Sequence, residues 1–141
     1  MNRIILDASI ALTWCFAEEQ SPLADAVFDF LADGDAVVPQ HFWLEVANGT
    51  LMAERRGRIN TANVDRFAIM LADVQIATDA NQERRALSEI RSLAQEHGLT
   101  IYDALYLDLA LREQLPLATL YQDLIQAAGN VGALLYQLPV S

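Results

Sequence analysis

The strongest constraint on this chain is an alternation of short apolar runs with longer stretches of helical periodicity, the pattern of helices packed on a mainly parallel sheet. Arg3 to Asp7, Asp35 to Pro39, Val74 to Ala77, Pro116 to Leu120 and Gly132 to Leu138 read as strands. Between them, Ser21-Pro22 offers an N-cap followed by proline at the first helical position, and Gly34 stops the helix that follows. Gln40 to Arg56 predicts a helix closed by Gly57, Thr61 to Asp73 another, and Asn81 to His97 an amphipathic one stopped by Gly98. Thr100 opens a helix over Ile101 to Glu113 that is apolar on nearly every side and therefore buried. Asp123 to Ala128 reads as a short last helix. No repeat, linker or low-complexity stretch interrupts the order, so residues 1–141 are expected to form one domain.

Composition narrows the chemistry. The chain carries 19 acids against nine bases, a net charge of -10, and all nine bases are arginine. Without lysine there is no phosphate-loop lysine, no Schiff base and no lysine to complete a phosphoacceptor site. The acidity opposes nucleic-acid binding by bulk charge, which needs a basic surface to release counterions. Cys15 is alone, which excludes an intrachain disulfide framework and fits a reducing compartment. The apolar N-terminal run is cut short by Asp7, unlike a secretory signal. The uncharged C-terminal stretch is broken by Gln126, Gly129, Asn130, Gly132, Gln137 and Pro139, unlike a membrane span. The expectation is a cytoplasmic protein with no membrane segment.

Four carboxylates stand apart from the acids on solvent faces. Asp7 follows a buried strand, Glu45 lies in an apolar helix, Asp103 opens the buried helix and Asp123 follows another strand. Each has an ordinary explanation. Asp7 and Asp123 suit helix N-caps, Thr100 and Asp103 resemble a capping box, and Glu45 suits a solvated face. Gly49, one turn beyond Glu45, costs about 1 kcal/mol relative to alanine inside a helix and marks close packing or ligand approach. Taken jointly, the acids fall at the edge of the sheet where α/β proteins place ligands. Converging carboxylates repel unless a cation neutralises them, and hard oxygen donors without a histidine or cysteine cluster select Mg²⁺ or Mn²⁺ over zinc.

The ordered set Ile5-Leu6-Asp7-Ala8-Ser9, Phe42-Trp43-Leu44-Glu45-Val46-Ala47-Asn48, Leu99-Thr100-Ile101-Tyr102-Asp103-Ala104-Leu105-Tyr106 and Leu115-Pro116-Leu117-Ala118-Thr119 resembles a PIN domain of the VapC type over essentially the whole chain. The resemblance implies a three-layer α/β/α fold and a metal-dependent ribonuclease. It further implies the toxin of a bacterial toxin–antitoxin pair, with an RNA substrate, a small basic antitoxin as partner, and a homodimer. Matched motif by motif, Asp7, Glu45 and Asp103 are the implied Mg²⁺ or Mn²⁺ ligands, with Ser9, Asn48 and Thr119 as polar neighbours that orient them. The family commonly has an aspartate two residues after the threonine, where this chain has Tyr121, a poor Mg²⁺ ligand. Asp123, two residues further on, is the implied fourth acid.

Arg55, Arg56 and Arg58 cluster at a helix end and are candidates to grip phosphates, or else they satisfy that helix's C-terminal dipole. Arg84, Arg85 and Arg91 alternate with Glu83 and Glu89 and read as a solvated face. Two rival readings stay open. One is a catalytically degenerate PIN-like binding or regulatory module that has lost turnover at Tyr121. The other is a phosphoacceptor regulator, which the missing lysine opposes. Setting the four acids aside leaves 15 acids against nine bases, so most of the negative field suits a basic protein partner.

Overall fold

A computed structural model describes residues 2–138. Four parallel strands, β1 (Arg3–Leu6), β2 (Asp35–Pro39), β3 (Ile76–Asp79) and β4 (Leu117–Ala118), form one sheet in the order β3-β2-β1-β4. Ile4, Ile5 and Leu6 are all buried, as a strand covered on both faces requires. The helices are α1 (Ala8–Cys15), α2 (Pro22–Phe30), α3 (Phe42–Arg55), α4 (Thr61–Ala72), α5 (Arg91–His97), α6 (Ile101–Glu113) and α7 (Gln122–Val131). α6 lies across β1, β2 and β4, while α1 packs among α2, α3 and α4, giving the expected three-layer α/β/α arrangement.

Local chemistry explains most element ends. Ser21 accepts a hydrogen bond from the Ala24 amide ahead of Pro22, and Thr100 accepts one from the Asp103 amide. Gly57 and Gly98 adopt the left-handed conformation, φ 75° and 66°, just past the helices they close.

Several expectations are corrected by packing. α1 occupies an apolar run whose helix the sequence pattern does not declare. The third strand lies two residues later than Val74–Ala77, because Ile76 to Asp79 pair with Ala36 to Pro39. Pro116 to Leu120 contributes only two strand residues. The expected strand over Gly132 to Leu138 reduces to one bridge, Leu135 opposite Leu117.

The expected helix from Asn81 to His97 begins instead as a 3₁₀ turn (Glu83–Arg85) and a π turn (Ala86–Ile90), becoming α-helical only at Arg91. The cause is tertiary. The Gln82 side chain donates to the Leu105 carbonyl (2.8 Å) and to Asp108 Oδ2 (2.9 Å), and Arg85 forks onto Asp108 with bonds of 2.8 and 2.6 Å. These bonds hold the segment against α6. Arg85 is therefore an anchor rather than part of a solvated face.

Candidate active site

The strand order reverses at β1. The chain builds outward from β1 to β2 and β3, then returns to add β4 on the other side of β1. Such a switch point leaves a crevice beyond the carboxyl ends of the two flanking strands. Asp7 follows β1 and Thr119 follows β4, and the Thr119 hydroxyl donates to Asp7 Oδ2 across that junction at 2.6 Å.

A cleft of about 660 Å³ opens here, lined by Asp7, Ser9 and Leu12 from the β1–α1 segment, His41, Leu44, Glu45, Asn48 and Gly49 from α3 and its cap, Thr100, Tyr102 and Asp103 from α6, and Tyr121. The N-caps of four helices, Asp7 of α1, His41 of α3, Thr100 of α6 and Tyr121 of α7, all line it. Their aligned peptide dipoles supply positive potential in a cleft whose lining contains no arginine. This accounts for how an acidic chain gathers carboxylates at one place.

Asp7 is 4% exposed. Its side chain makes no cap bond to α1, so capping does not explain it. The Ser9 and Thr119 hydroxyls both donate to Oδ2 at 2.6 Å, leaving Oδ1 without a hydrogen bond from the described residues. Ser9 is itself fixed by the Leu120 amide (3.0 Å), and Thr119 by the Tyr121 amide (3.0 Å). Burial pushes the Asp7 carboxyl above its ordinary value; the two hydroxyls oppose the shift, and the charges of Glu45 and Asp103 add to it. Asp103 is shifted upward by the same cause, partial burial. Thr100 and His41 oppose that shift, whereas Glu45 and Asp123 reinforce it.

Glu45 Oε1 accepts from the buried Tyr106 hydroxyl at 2.7 Å. His41 Nε2 lies 3.1 Å from the same oxygen without hydrogen-bond alignment, and neither imidazole nitrogen has a partner among the described residues. The His41 ring packs between those of Tyr102 and Tyr106, with centroids 5.5 and 5.1 Å away. Burial and the neighbouring carboxylates drive the Tyr106 phenol far above its ordinary range, so it stays protonated and donating. His41 and Tyr106 are the members of the site that motif reading missed. Their signal was the spacing of His41 to Glu45 and Tyr102 to Tyr106, one turn apart in each case.

Asp7, Ser9, Glu45, Asn48 and Asp103 thus meet in one cleft, with Thr119 bonded to Asp7 from behind. Asp123 is exposed and outside the lining, although its charge reaches Asp103. Arg55 and Arg56 are exposed and also outside it. Arg58 is paired outside the cleft, with Glu18 (2.6 Å), Glu19 (2.8 Å) and the face of Phe16 (4.4 Å).

Among the described residues, no three side chains of His, Cys, Asp or Glu are gathered closely enough to enclose one ion. The donor set nevertheless suits a hydrated magnesium-type cation, which keeps several waters and takes only one or two carboxylates. Asp7 in particular is a desolvated carboxylate surrounded by like charge.

The fold and cleft define an α/β/α protein with an acidic site at a sheet switch point. A family model described as PIN domain matches residues 4–130, and the chain belongs to the PIN domain family, a nuclease-type fold. Its structure is similar to the crystal structure of PAE2754 from Pyrobaculum aerophilum, with a TM-score of 0.66 and 23% sequence identity, covering 90% of this chain and 86% of that one. Among curated proteins, none matches the chain significantly. No helix of the described residues is long and apolar enough to cross a membrane.

Proposed function

We propose that this PIN domain is a Mg²⁺- or Mn²⁺-dependent ribonuclease acting as the toxin of a bacterial toxin–antitoxin pair, in the cytoplasm and as a homodimer. The observation that carries the reading is Asp7: a buried carboxylate with no cationic side chain beside it, facing Glu45 and Asp103 across a cleft ringed by helix N-termini. A structural acid this buried is normally paired, so Asp7 is built to meet a cation.

Asp7, Glu45 and Asp103 would hold the ion, some directly and the rest through its waters, with Asp123 reaching it only through water. A bound divalent ion supplies a water of lowered pKa and positive charge at the phosphate. Ser9 and Thr119 fix the Asp7 carboxylate through one oxygen and leave the other without a hydrogen bond from the described residues. Tyr106 does the same for Glu45. The N-termini of α6 and α7 favour the negative charge that develops on a phosphate as it is attacked. The acidic remainder of the surface suits a small basic antitoxin, which would compete with RNA for the cleft.

Cleavage of single-stranded RNA in Mg²⁺ or Mn²⁺ tests this. Asp7→Asn is expected to lower the rate at least a hundredfold, and equal rates for the two proteins would remove Asp7 from the site. A short adjacent reading frame encoding a DNA-binding protein, copurifying with the chain, is expected from the toxin assignment. The degenerate-module reading draws on one observation: Tyr121 lines the cleft, while the nearest alternative acid, Asp123, does not. Tyr121→Asp distinguishes the two, because a large gain in cleavage would mark the wild-type chain as the degenerate form.

A further inference from the structure

We infer that Tyr102 and Tyr121 are nucleobase-stacking platforms at the rim of the carboxylate cleft, holding bases adjacent to the phosphate that is cut. The inference rests on the nuclease reading and names how this chain grips its substrate. Both rings line the cleft beside Asp7 and Asp103, yet they are 61% and 45% exposed, a large aromatic surface left in water at the centre of the candidate site. Neither phenol hydroxyl makes a hydrogen bond among the described residues, so the fold uses the rings and not their polar tips. Elsewhere the hydroxyl does have a use, as Tyr106 shows.

The Tyr102 ring and the Tyr121 backbone are held in place before any ligand arrives. Tyr102 rests against the His41 ring, centroids 5.5 Å apart at 47°, which supports the ring while its exposed surface remains available. Tyr121 is the N-cap of α7, and its amide donates to Thr119 Oγ1, the same hydroxyl that donates to Asp7. The Tyr121 backbone and the Asp7 carboxylate are thereby fixed through one atom. A ring supported as Tyr102 is loses little entropy on binding, and a fixed backbone limits where the Tyr121 ring can go.

Within the cleft the grip has to come from something other than arginine. The cleft lining contains none, Arg58 is bound to Glu18 and Glu19, and the net charge repels a polyanion. Helix N-termini serve the phosphates, and base–aromatic stacking is the remaining strong, charge-independent contact available to an unpaired strand. An apolar protein segment would also contact these rings, but the rings adjoin the carboxylates and helix N-termini that suit a phosphodiester, which favours nucleotides.

The test uses single-stranded oligoribonucleotides carrying one abasic site at successive positions. Cleavage kinetics in Mg²⁺ are paired with binding in Ca²⁺, read from the fluorescence of 2-aminopurine placed beside the cut. Tyr102→Leu and Tyr121→Leu are each expected to raise KM and Kd about 5- to 50-fold with a smaller change in kcat, and the Phe variants to restore both. An abasic site beside the cut should cost the wild-type protein a similar factor and the matching Leu variant little more. The inference is overturned if Phe is as damaging as Leu, or if the abasic penalty is undiminished in both Leu variants. It is equally overturned if the Leu variants lose only their hold on a basic protein partner. A wild-type protein that cleaves RNA but ignores abasic sites defeats stacking alone. One that neither binds nor cleaves RNA defeats the nuclease reading and stacking with it.

Discussion

Two aspartates are buried to nearly the same depth, Asp7 at 4% and Asp108 at 5% exposure, and they are treated in opposite ways. Asp108 receives the Arg85 guanidinium on both oxygens and the Gln82 amide on one. Asp7 receives two hydroxyls on a single oxygen, and the ionisable groups acting most on it, Glu45 and Asp103, are negative. Asp108 is compensated from within the fold and fastens the irregular segment 83–90 to α6. Asp7 has no such partner among the described residues, and in the proposed function a bound cation would take that place. Burial alone therefore does not distinguish an acid paired with a cation from one that is not; the identity of the donors does.

The largest effect expected from breaking this contrast is on Arg85. Arg85→Met leaves Asp108 buried with only Gln82, and unfolding in urea should show a loss of about 2–4 kcal/mol, below the full value for a buried pair because Arg85 is partly exposed. The double variant Arg85→Met with Asp108→Leu should recover much of that loss, since an apolar pair leaves no charge unpaired. RNA cleavage per folded molecule should be unchanged, because neither residue lines the cleft.

Asp7→Asn should do the reverse, stabilising the fold while abolishing cleavage. The amide keeps an oxygen for the Ser9 and Thr119 hydroxyls and removes a desolvated charge. A rise in Tm of a few degrees corresponds to about 1 kcal/mol in a domain of this size. The pH dependence has a fixed sign. The Asp7 carboxyl titrates above its ordinary value in the folded state, so the folded chain binds more protons than the unfolded one between 3.8 and that raised value. Wild-type stability should increase as pH falls from neutrality through the raised value, and the advantage of Asp7→Asn should shrink over the same window. A gap that stays constant from pH 7 down to the ordinary carboxylate value of 3.8 would show that Asp7 is not strained by its charge.

Adding Mn²⁺ at pH 7 should offset the same strain from outside. At ten times its Kd, an ion bound only by the folded state contributes about 1.4 kcal/mol, visible as a Tm rise in the wild-type protein and reduced in Asp7→Asn. An equal rise in both proteins would place the cation elsewhere.

What was legible in the sequence follows from what is local. The first two strands, the Ser21-Pro22 and Thr100 caps and the stops at Gly57 and Gly98 are decided within a few residues, and the structure has them where the sequence puts them. Asp7, Glu45 and Asp103 could be grouped because strand ends and helix starts converge at one sheet edge. The π turn at Ala86–Ile90 was not legible, because it depends on Gln82 and Arg85 reaching Asp108 more than twenty residues away. The third strand was misplaced because pairing with β2, and not its own apolar pattern, sets its register. The Arg58 ion pairs are not legible either, because Glu18 and Glu19 are distant in sequence.

The smallest expected effect concerns how closely α1 approaches α3. A Cβ at Gly49 would lie 2.7 Å from both terminal methyls of Leu12, so the two helices that begin near Asp7 and carry Glu45 are held together through a residue with no side chain. Leu12 is partly buried at the cleft and can turn aside, so Gly49→Ala should change stability by less than about 1 kcal/mol, with the gain in helix propensity offsetting some of the crowding. Its effect should fall on the site instead. Widening the α1–α3 gap separates Asp7 from Glu45, so Mn²⁺ affinity is expected to fall several-fold while Tm hardly moves. Unchanged affinity would mean that Leu12 absorbs the methyl without moving the backbone, and that Gly49 serves packing alone. Leu12→Ala in the Gly49→Ala background separates these cases, because removing the obstructing methyls should restore affinity only if crowding between α1 and α3 had reduced it.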